Sequence, residues 1–477
     1  MIFGIDKVDR SRAAMKSPDG RTVTYGGLCD AAESMKKFLP ERALAFCMCS
    51  NTPGSVIGYI SLMAGGAAVL LLDAHLPSDQ FERFYGEYRP SLIWCPDGSH
   101  ENCSGHLKKQ LCQSEDYSLW DTGNPVYPLS PDLTLLLATS GSTGNPKLVR
   151  LSKLNLESNA ESICEYLKID ENERAITTLP MNYTYGLSII NSHLMVGACL
   201  LMTPDSYVQS PFWEFFEQEK ATSFGGVPYT YELLKKIHIF NKKLPSLHYM
   251  TQAGGKLPTA LQIELAQWSA ENGSLFYVMY GQTEATARMA YLPPQNCLKK
   301  PGSMGIAIPG GRFELVDENG NVITQHHKSG ELVYSGPNVC LGYAQQKEDL
   351  ALGDENHGRL MTGDIAETDE DDYYYIVGRK KRFLKLFGIR INLTECENIL
   401  QEKYPQDTII CGGTDNNLKI YTADPDAARG SAAILADYLH INRKGFTGCL
   451  IDRIPRNAYG KIQFSSLDAA VQQEFHD

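Results

Sequence analysis

Between positions 139 and 147 the chain reads Thr139-Ser140-Gly141-Ser142-Thr143-Gly144-Asn145-Pro146-Lys147, which puts four hydroxyls, two glycines and one lysine into nine residues. Backbone N–H groups and hydroxyls can turn toward one point in such a loop, and Lys147 adds a positive charge, so the segment suits a polyphosphate. It is not a Walker A loop. Gly141 to Lys147 spells G-x-x-G-x-P-K and lacks the final G-K-[ST], so a P-loop kinase fails on the pattern. Further along, Tyr280-Gly281-Gln282-Thr283-Glu284 offers an aromatic face, a hydroxyl and a hard oxygen ligand within five positions. Thr362-Gly363-Asp364 supplies a carboxylate of the kind that binds a vicinal diol, and Lys461 stands close to the C-terminus.

The elements that must hold these groups alternate between helical and strand-like patterns. Leu28–Leu39 reads as an amphipathic helix, Ala43–Cys49 as a buried strand, Ser55–Ala64 as a helix and Ala67–Leu72 as a strand, a rhythm that predicts βαβ units and parallel sheets. The apolar run Asp132–Ala138 leads into the hydroxyl-rich loop, which is followed by a short strand, Leu148–Leu151, and a helix, Leu154–Leu167. From Gly310 to Tyr343 the texture changes to short β segments broken by turns, which predicts a small β subdomain. A boundary is expected near Gly378–Lys381. Beyond it the pattern is strand, helix (Leu393–Lys403), strands (Thr408–Cys411 and Lys419–Thr422) and helix (Ala428–His440), a small α+β domain.

Bulk properties narrow the classes. A chain of 477 residues exceeds one ordinary core and predicts two or three domains. A net charge of −12 argues against a nucleic-acid surface, and the one basic run, Arg379-Lys380-Lys381-Arg382, reads as a solvated turn. Lys7 comes too early for a signal peptide, and the longest apolar stretch stops at Asp73, far short of the roughly 20 residues of a membrane helix. Thirteen scattered cysteines without CxxC spacing support neither zinc nor a disulfide framework, so a reducing cytoplasm is expected.

Taken together, the motifs resemble those of the adenylate-forming superfamily of acyl- and aryl-CoA synthetases, nonribosomal peptide adenylation domains and luciferases. The match runs from about Val23-Thr24-Tyr25 onward and includes all nine loop residues, Tyr280–Glu284, Thr362–Asp364, Gly378-Arg379, Lys385–Ile391 and Ile454–Lys461. The resemblance implies an α/β fold with three parts: a large N-terminal domain of parallel-rich αβα layers (1–378), a β subdomain within it at about 305–378, and a small mobile α+β lid (379–477). By the same resemblance Thr139, Ser140, Gly141, Ser142, Thr143, Gly144 and Lys147 grip the ATP phosphates. Tyr280, Gly281, Gly254, Gly255 and Lys256 surround adenine, with Lys256 standing where relatives carry Glu. Asp364 and Arg379 take the ribose, Thr283 the α-phosphate, Glu284 Mg²⁺, and Lys461 bridges the acid and the α-phosphate. Gly330–Leu332, Ser335–Pro337 and Gly342-Tyr343 match a β motif of structural character. Lys381 is the implied hinge, and Gly388 with Arg390 belongs to the implied second half-reaction.

These roles describe ATP-dependent conversion of a carboxylic acid to acyl-AMP, with pyrophosphate leaving, and then transfer to a thiol. That thiol is coenzyme A or the phosphopantetheine of a carrier protein, the latter in a biosynthetic pathway. Tyr183, Thr184, Gly225, Gly226 and Val227 are implied to line the acyl pocket. Thr184 falls where amino-acid-activating relatives place an Asp, and a neutral Thr cannot pair an α-ammonium, so an uncharged fatty or aryl acid is expected. An inactive binding homologue is the remaining alternative, and intact Lys147, Glu284, Asp364, Arg379 and Lys461 argue against it.

Overall fold

The computed structural model describes residues 1–98, 102–138, 147–380, 382–457 and 460–476, with backbone alone for Arg390 and His476. Thr139, Ser140, Gly141, Ser142, Thr143, Gly144 and Lys381 therefore lie outside the described residues, as does the Arg390 side chain.

Two large sheets carry the molecule. In the first, four parallel strands run side by side in the order Leu92–Pro96, Leu44–Cys49, Ala68–Asp73 and Leu133–Ala138. Leu44–Cys49 is buried at every residue, which explains its unbroken apolar reading, since a parallel strand is covered on both faces. In the second, Leu275–Tyr280, Tyr249–Gln252, Ser223–Gly226, Arg174–Ile176, Cys199–Leu201 and Ala13–Lys16 are parallel neighbours. The helices Pro53–Ala64, Lys153–Leu167 and Thr184–Met195 share one apolar cluster with strands of both sheets. Lys153–Leu167 begins at a capping box in which Ser152 and Asn155 satisfy each other's backbone N–H.

A four-stranded antiparallel sheet follows, Arg312–Val316, Gly330–Ser335, Arg359–Thr368 and Tyr374–Arg379. Gly342–Ala344 does not join it, contrary to the grouping read from the sequence. This short strand pairs antiparallel with Leu148–Ser152 on the edge of the first large sheet, with Tyr343 opposite Val149. Arg150 is the reason. Fully buried, it donates to the carbonyls of Leu341, Tyr343, Leu352 and Gly353 and pairs with Glu355 at 2.5 Å, which stitches the segment onto the strand that leaves the hydroxyl-rich loop.

The C-terminal part is α+β. A hairpin (Phe383–Leu386, Ile389–Asn392) precedes the helices Leu393–Lys403 and Pro425–Leu439 and a four-stranded sheet of Ile410–Thr414, Asn417–Thr422, Phe446–Ile451 and Val471–His476. Its two apolar clusters are drawn wholly from residues 384–471. The α/β class, the parallel-rich layers, the β sheet beside them and the α+β C-terminal part are all as expected. Among the described residues no helix is long and apolar enough to cross a membrane.

Candidate active site

The carboxyl ends of Ser223–Gly226, Tyr249–Gln252 and Leu275–Tyr280 open into a cleft, the usual ligand position in parallel α/β sheets. At one side Asp364, only 2% exposed, gathers three donors. Tyr280 donates from its hydroxyl at 2.5 Å, Gln282 from its amide at 2.8 Å and Arg379 from Nε at 2.7 Å. Arg379 reaches Asp364 because the two are register partners on antiparallel strands. Burial, then the adjacent Asp364 charge, pushes the Tyr280 hydroxyl well above the usual phenol range.

Beside this lies Glu284, half-buried on the single turn Thr283–Ala285. Its Oε1 accepts the Tyr343 hydroxyl at 2.7 Å, and the Lys147 ammonium stands 5.4 Å over the Tyr343 ring. Lys147, Tyr343 and Glu284 thus form one connected edge. Burial and the Glu284 charge raise the Tyr343 hydroxyl pKa. Thr283 sits half-buried between Glu284 and the Asp364 cluster in sequence.

Lys461 closes the cleft from the C-terminal part. Asn457 and Lys461 exchange backbone and side-chain hydrogen bonds (2.8 and 3.0 Å) around a turn in which Gly460 adopts φ +72°. The turn packs Gly460 against Val227 and Tyr229 and holds the Lys461 ammonium 4.9 Å over the Tyr183 ring. Burial, together with the Arg379 charge, lowers the Lys461 pKa below the ordinary lysine value, while Glu284 opposes this. Arg456 stacks at 4.7 Å on Tyr229 and approaches Glu232 at 3.8 Å. Lys256 donates to Asn398 on the helix Leu393–Lys403 at 2.9 Å.

Tyr183 fits only because of its neighbour. A Cβ on Gly254, whose φ is +83°, would lie 2.4 Å from the Tyr183 hydroxyl oxygen. The adjoining ring, Tyr185, is 6.3 Å away edge-on, with Thr184 buried between them at the start of the helix Thr184–Met195. On Tyr185 rests a second cation: the Arg288 guanidinium, 4.7 Å from the ring and 1% exposed.

Comparison with known proteins decides what this cleft belongs to. A model of the AMP-binding enzyme family matches residues 6–344. The chain belongs to the AMP-binding enzyme family. It is similar to the oxalate–CoA ligase of Arabidopsis thaliana, 26% identical over 501 aligned positions covering 94% of this chain and 95% of that one. It is also similar to the L-proline–[L-prolyl-carrier protein] ligase of Pseudomonas fluorescens, 26% identical over 438 positions, 85% of each. The solved structure of O-succinylbenzoate coenzyme A synthetase from Bacillus subtilis in complex with AMP shares the fold with TM-score 0.78 at 20% identity, covering 100% of this chain and 98% of that one.

As a member of the AMP-binding enzymes, the protein is an AMP-forming acid–thiol ligase. Of the residues expected from the sequence, the structure brings Tyr280, Glu284, Asp364, Arg379, Lys461, Tyr183, Gly254 and Val227 around one cleft. Gly225 and Gly226 end the adjoining strand, and Gly281 and Gly255 flank the Tyr280 and Lys256 loops. Gly388 is set elsewhere. It forms a hairpin tip with Phe387, both with positive φ, and Phe387 and Ile389 are 55% and 53% exposed. Four contributors went unread in the sequence: Gln282 on Asp364, Tyr343 on Glu284, Asn398 on Lys256, and Arg288. Of these Gln282 and Tyr343 carried a signal, since each stood in a recognised motif, that of Tyr343 suggesting a structural part.

Proposed function

We propose that this AMP-binding enzyme activates a fatty or aryl acid of short span to its acyl-AMP and passes the acyl group to coenzyme A. The observation that carries the reading is Lys461. Its ammonium, held over Tyr183 and within the electrostatic reach of Arg379 and Glu284, lies between the acyl pocket and the nucleotide edge. A carboxylate is a poor electrophile, and bringing it to a triphosphate opposes like charges. At 4 Å and an effective dielectric near 20 each such pair repels by about 4 kcal/mol. In this reading Lys461 neutralises that repulsion and orients the carboxylate for in-line attack on the α-phosphorus, while Thr283 donates to the α-phosphate. Tyr280 faces the adenine, Asp364 and Arg379 the ribose, and Lys147 with the 139–144 loop the outer phosphates. Glu284 fits a magnesium ion, which takes one or two carboxylates together with substrate phosphates and water and, when bound, neutralises phosphate charge.

Residues 379–477 then act as a mobile lid about Lys381, withdrawing Lys461 and bringing the Gly388–Arg390 hairpin in for thiol attack on the acyl carbonyl. Two exposed apolar residues at that tip support a second docked position. Thr184, neutral and buried, opposes an amino acid, and the tyrosine-lined walls support an aryl or short alkyl body. The carrier-protein acceptor remains the second reading, favoured by similarity to a carrier-protein ligase. The thirteen cysteines, scattered without CxxC spacing, suit the cytoplasmic setting of this reading.

The test is acid-dependent ATP–pyrophosphate exchange over a panel of acids, followed by addition of coenzyme A or a phosphopantetheinylated carrier. Exchange with at least one acid and thioester formation with coenzyme A is the expected result. Exchange with none would make the protein an inactive homologue, and transfer to the carrier alone would move the acceptor.

A further inference from the structure

Two fully buried arginines in this protein are treated in opposite ways. Arg150 is neutralised by Glu355 and surrounded by four carbonyl oxygens. Among the described residues Arg288 has only neutral hydrogen-bond partners: Nε donates to the Ser188 hydroxyl at 3.1 Å, and one terminal nitrogen reaches the Tyr166 hydroxyl and the Met279 sulfur. Among the described residues no carboxylate comes within 4 Å of it. Glu173, the acidic side chain whose field reaches this region, is already engaged by His248 at 2.8 Å and by Thr222. A buried guanidinium without a counter-ion is costly, and such groups are ordinarily paired.

Arg288 also lines a hollow together with Gly225, one of the residues expected at the acyl pocket, and with Thr251, Tyr249 and His193. His193 is held neutral by burial, so the wall contributes no charge of its own. The space has room for about one water-sized group, enough for a carboxylate oxygen and too little for a hydrocarbon tail. Along the pocket the two cations lie on successive rings, Lys461 on Tyr183 and Arg288 on Tyr185.

From this arrangement we infer that Arg288 is the counter-ion for a second carboxylate on the substrate, so that the acid activated here is a short dicarboxylic acid lying along the Tyr183–Tyr185 pair with its reacting end at Lys461 and its far end at Arg288. The inference rests on the acid-activating reading above and replaces the uncharged tail suggested by Thr184. A diacid supplies the missing charge, and a monoacid leaves the guanidinium buried and unpaired, which is how a site built around one polar group rejects analogues lacking it.

The test is ATP–pyrophosphate exchange by the whole enzyme with matched pairs of acids sharing one skeleton with and without the far carboxylate: succinate and butyrate, adipate and hexanoate, terephthalate and benzoate. For at least one pair the diacid should be preferred by on the order of 100-fold or more in kcat/KM. Arg288→Met should abolish that preference chiefly through KM of the diacid, leaving KM for ATP in place, and Arg288→Lys should restore part of it. If every monoacid is used at least as well as its diacid, or Arg288→Met lowers both members of a pair equally, the inference is wrong while acid activation stands. Exchange with no acid at all would overturn both. Should Arg288→Met fail to fold, the wild-type comparison and Arg288→Lys still decide the matter.

Discussion

Tyr343 donates its hydroxyl to Glu284 Oε1 at 2.7 Å, across 59 residues of sequence, while its ring supports the Lys147 ammonium. The bond ties a residue on the edge of one sheet to the turn that ends a strand of the other, and it sets the direction in which Glu284 points. Tyr343→Phe keeps the ring and removes the donor. A hydrogen bond to a charged acceptor contributes about 1.5 kcal/mol or more, so kcat/KM for ATP should fall about tenfold with little change in melting temperature. Titrating Mg²⁺ and ATP in the exchange assay checks this, and an unchanged value would make the contact incidental.

Lys461→Ala should lower acyl-AMP formation by about three orders of magnitude, the scale of losing a preorganised charge at the reacting phosphorus. Thioester formation from supplied acyl-AMP should be spared, and equal loss in both steps would refute the assigned role. Burial and Arg379 lower the Lys461 pKa, so its charge disappears as pH rises at lower pH than for an ordinary lysine. The alkaline limb of the exchange rate should accordingly lie below the lysine value of 10.5 and be absent in Lys461→Arg.

His193 makes stability pH-dependent. Burial lowers its pKa to about 4, against 6.5 for an ordinary histidine. As pH falls through 6.5 the unfolded imidazole takes a proton that the folded one refuses until about pH 4. Stability therefore falls as pH falls across that window, by at most about 3 kcal/mol. Urea midpoints of wild type and His193→Asn at pH 7 and pH 5 should show the steeper decline in wild type. Parallel declines would dismiss the effect.

Gly254→Ala forces a methyl to within 2.4 Å of the Tyr183 hydroxyl at a backbone φ of +83°. The left-handed conformation alone costs about 1–2 kcal/mol for a residue with Cβ. KM for the acid should rise tenfold or more, with a smaller rise for ATP, because Tyr183 is the side chain that must move. Separate KM determinations and a melting curve distinguish a shifted ring from general unfolding.

Lys256→Ala removes the 2.9 Å contact with Asn398 that bridges the cleft and the C-terminal helix. One neutral-acceptor hydrogen bond contributes about 1 kcal/mol, which predicts roughly fivefold slower adenylation in single turnover. The thiol step should be unchanged or faster, since the closed arrangement is then easier to leave. Slowing of both steps would show that Lys256 acts on the nucleotide instead.

The residues that meet at the cleft were legible because each sits in a short run of distinctive residue types, and the parallel strands because burial on both faces leaves unbroken apolar runs such as Leu44–Cys49. What was not legible depends on partners far along the chain. Gly342–Ala344 follows the β segments in sequence, yet its backbone pairs with Leu148–Ser152, a choice made by the distant side chain of Arg150. Val471–His476 is largely polar and shows no apolar alternation, so nothing in its pattern announces a strand. Arg288 resembles any surface arginine in sequence, and only the fold shows it buried without a counter-charge among the described residues.

The three donors on Asp364 have one further implication. A carboxylate has about four acceptor positions, and Tyr280, Gln282 and Arg379 already fill three of them. In the proposed nucleotide-binding role, a ribose presenting two hydroxyls would find one position vacant and would displace a resident donor to use a second. Capture at this carboxylate would then be a substitution of one partner for another, with a correspondingly small net gain.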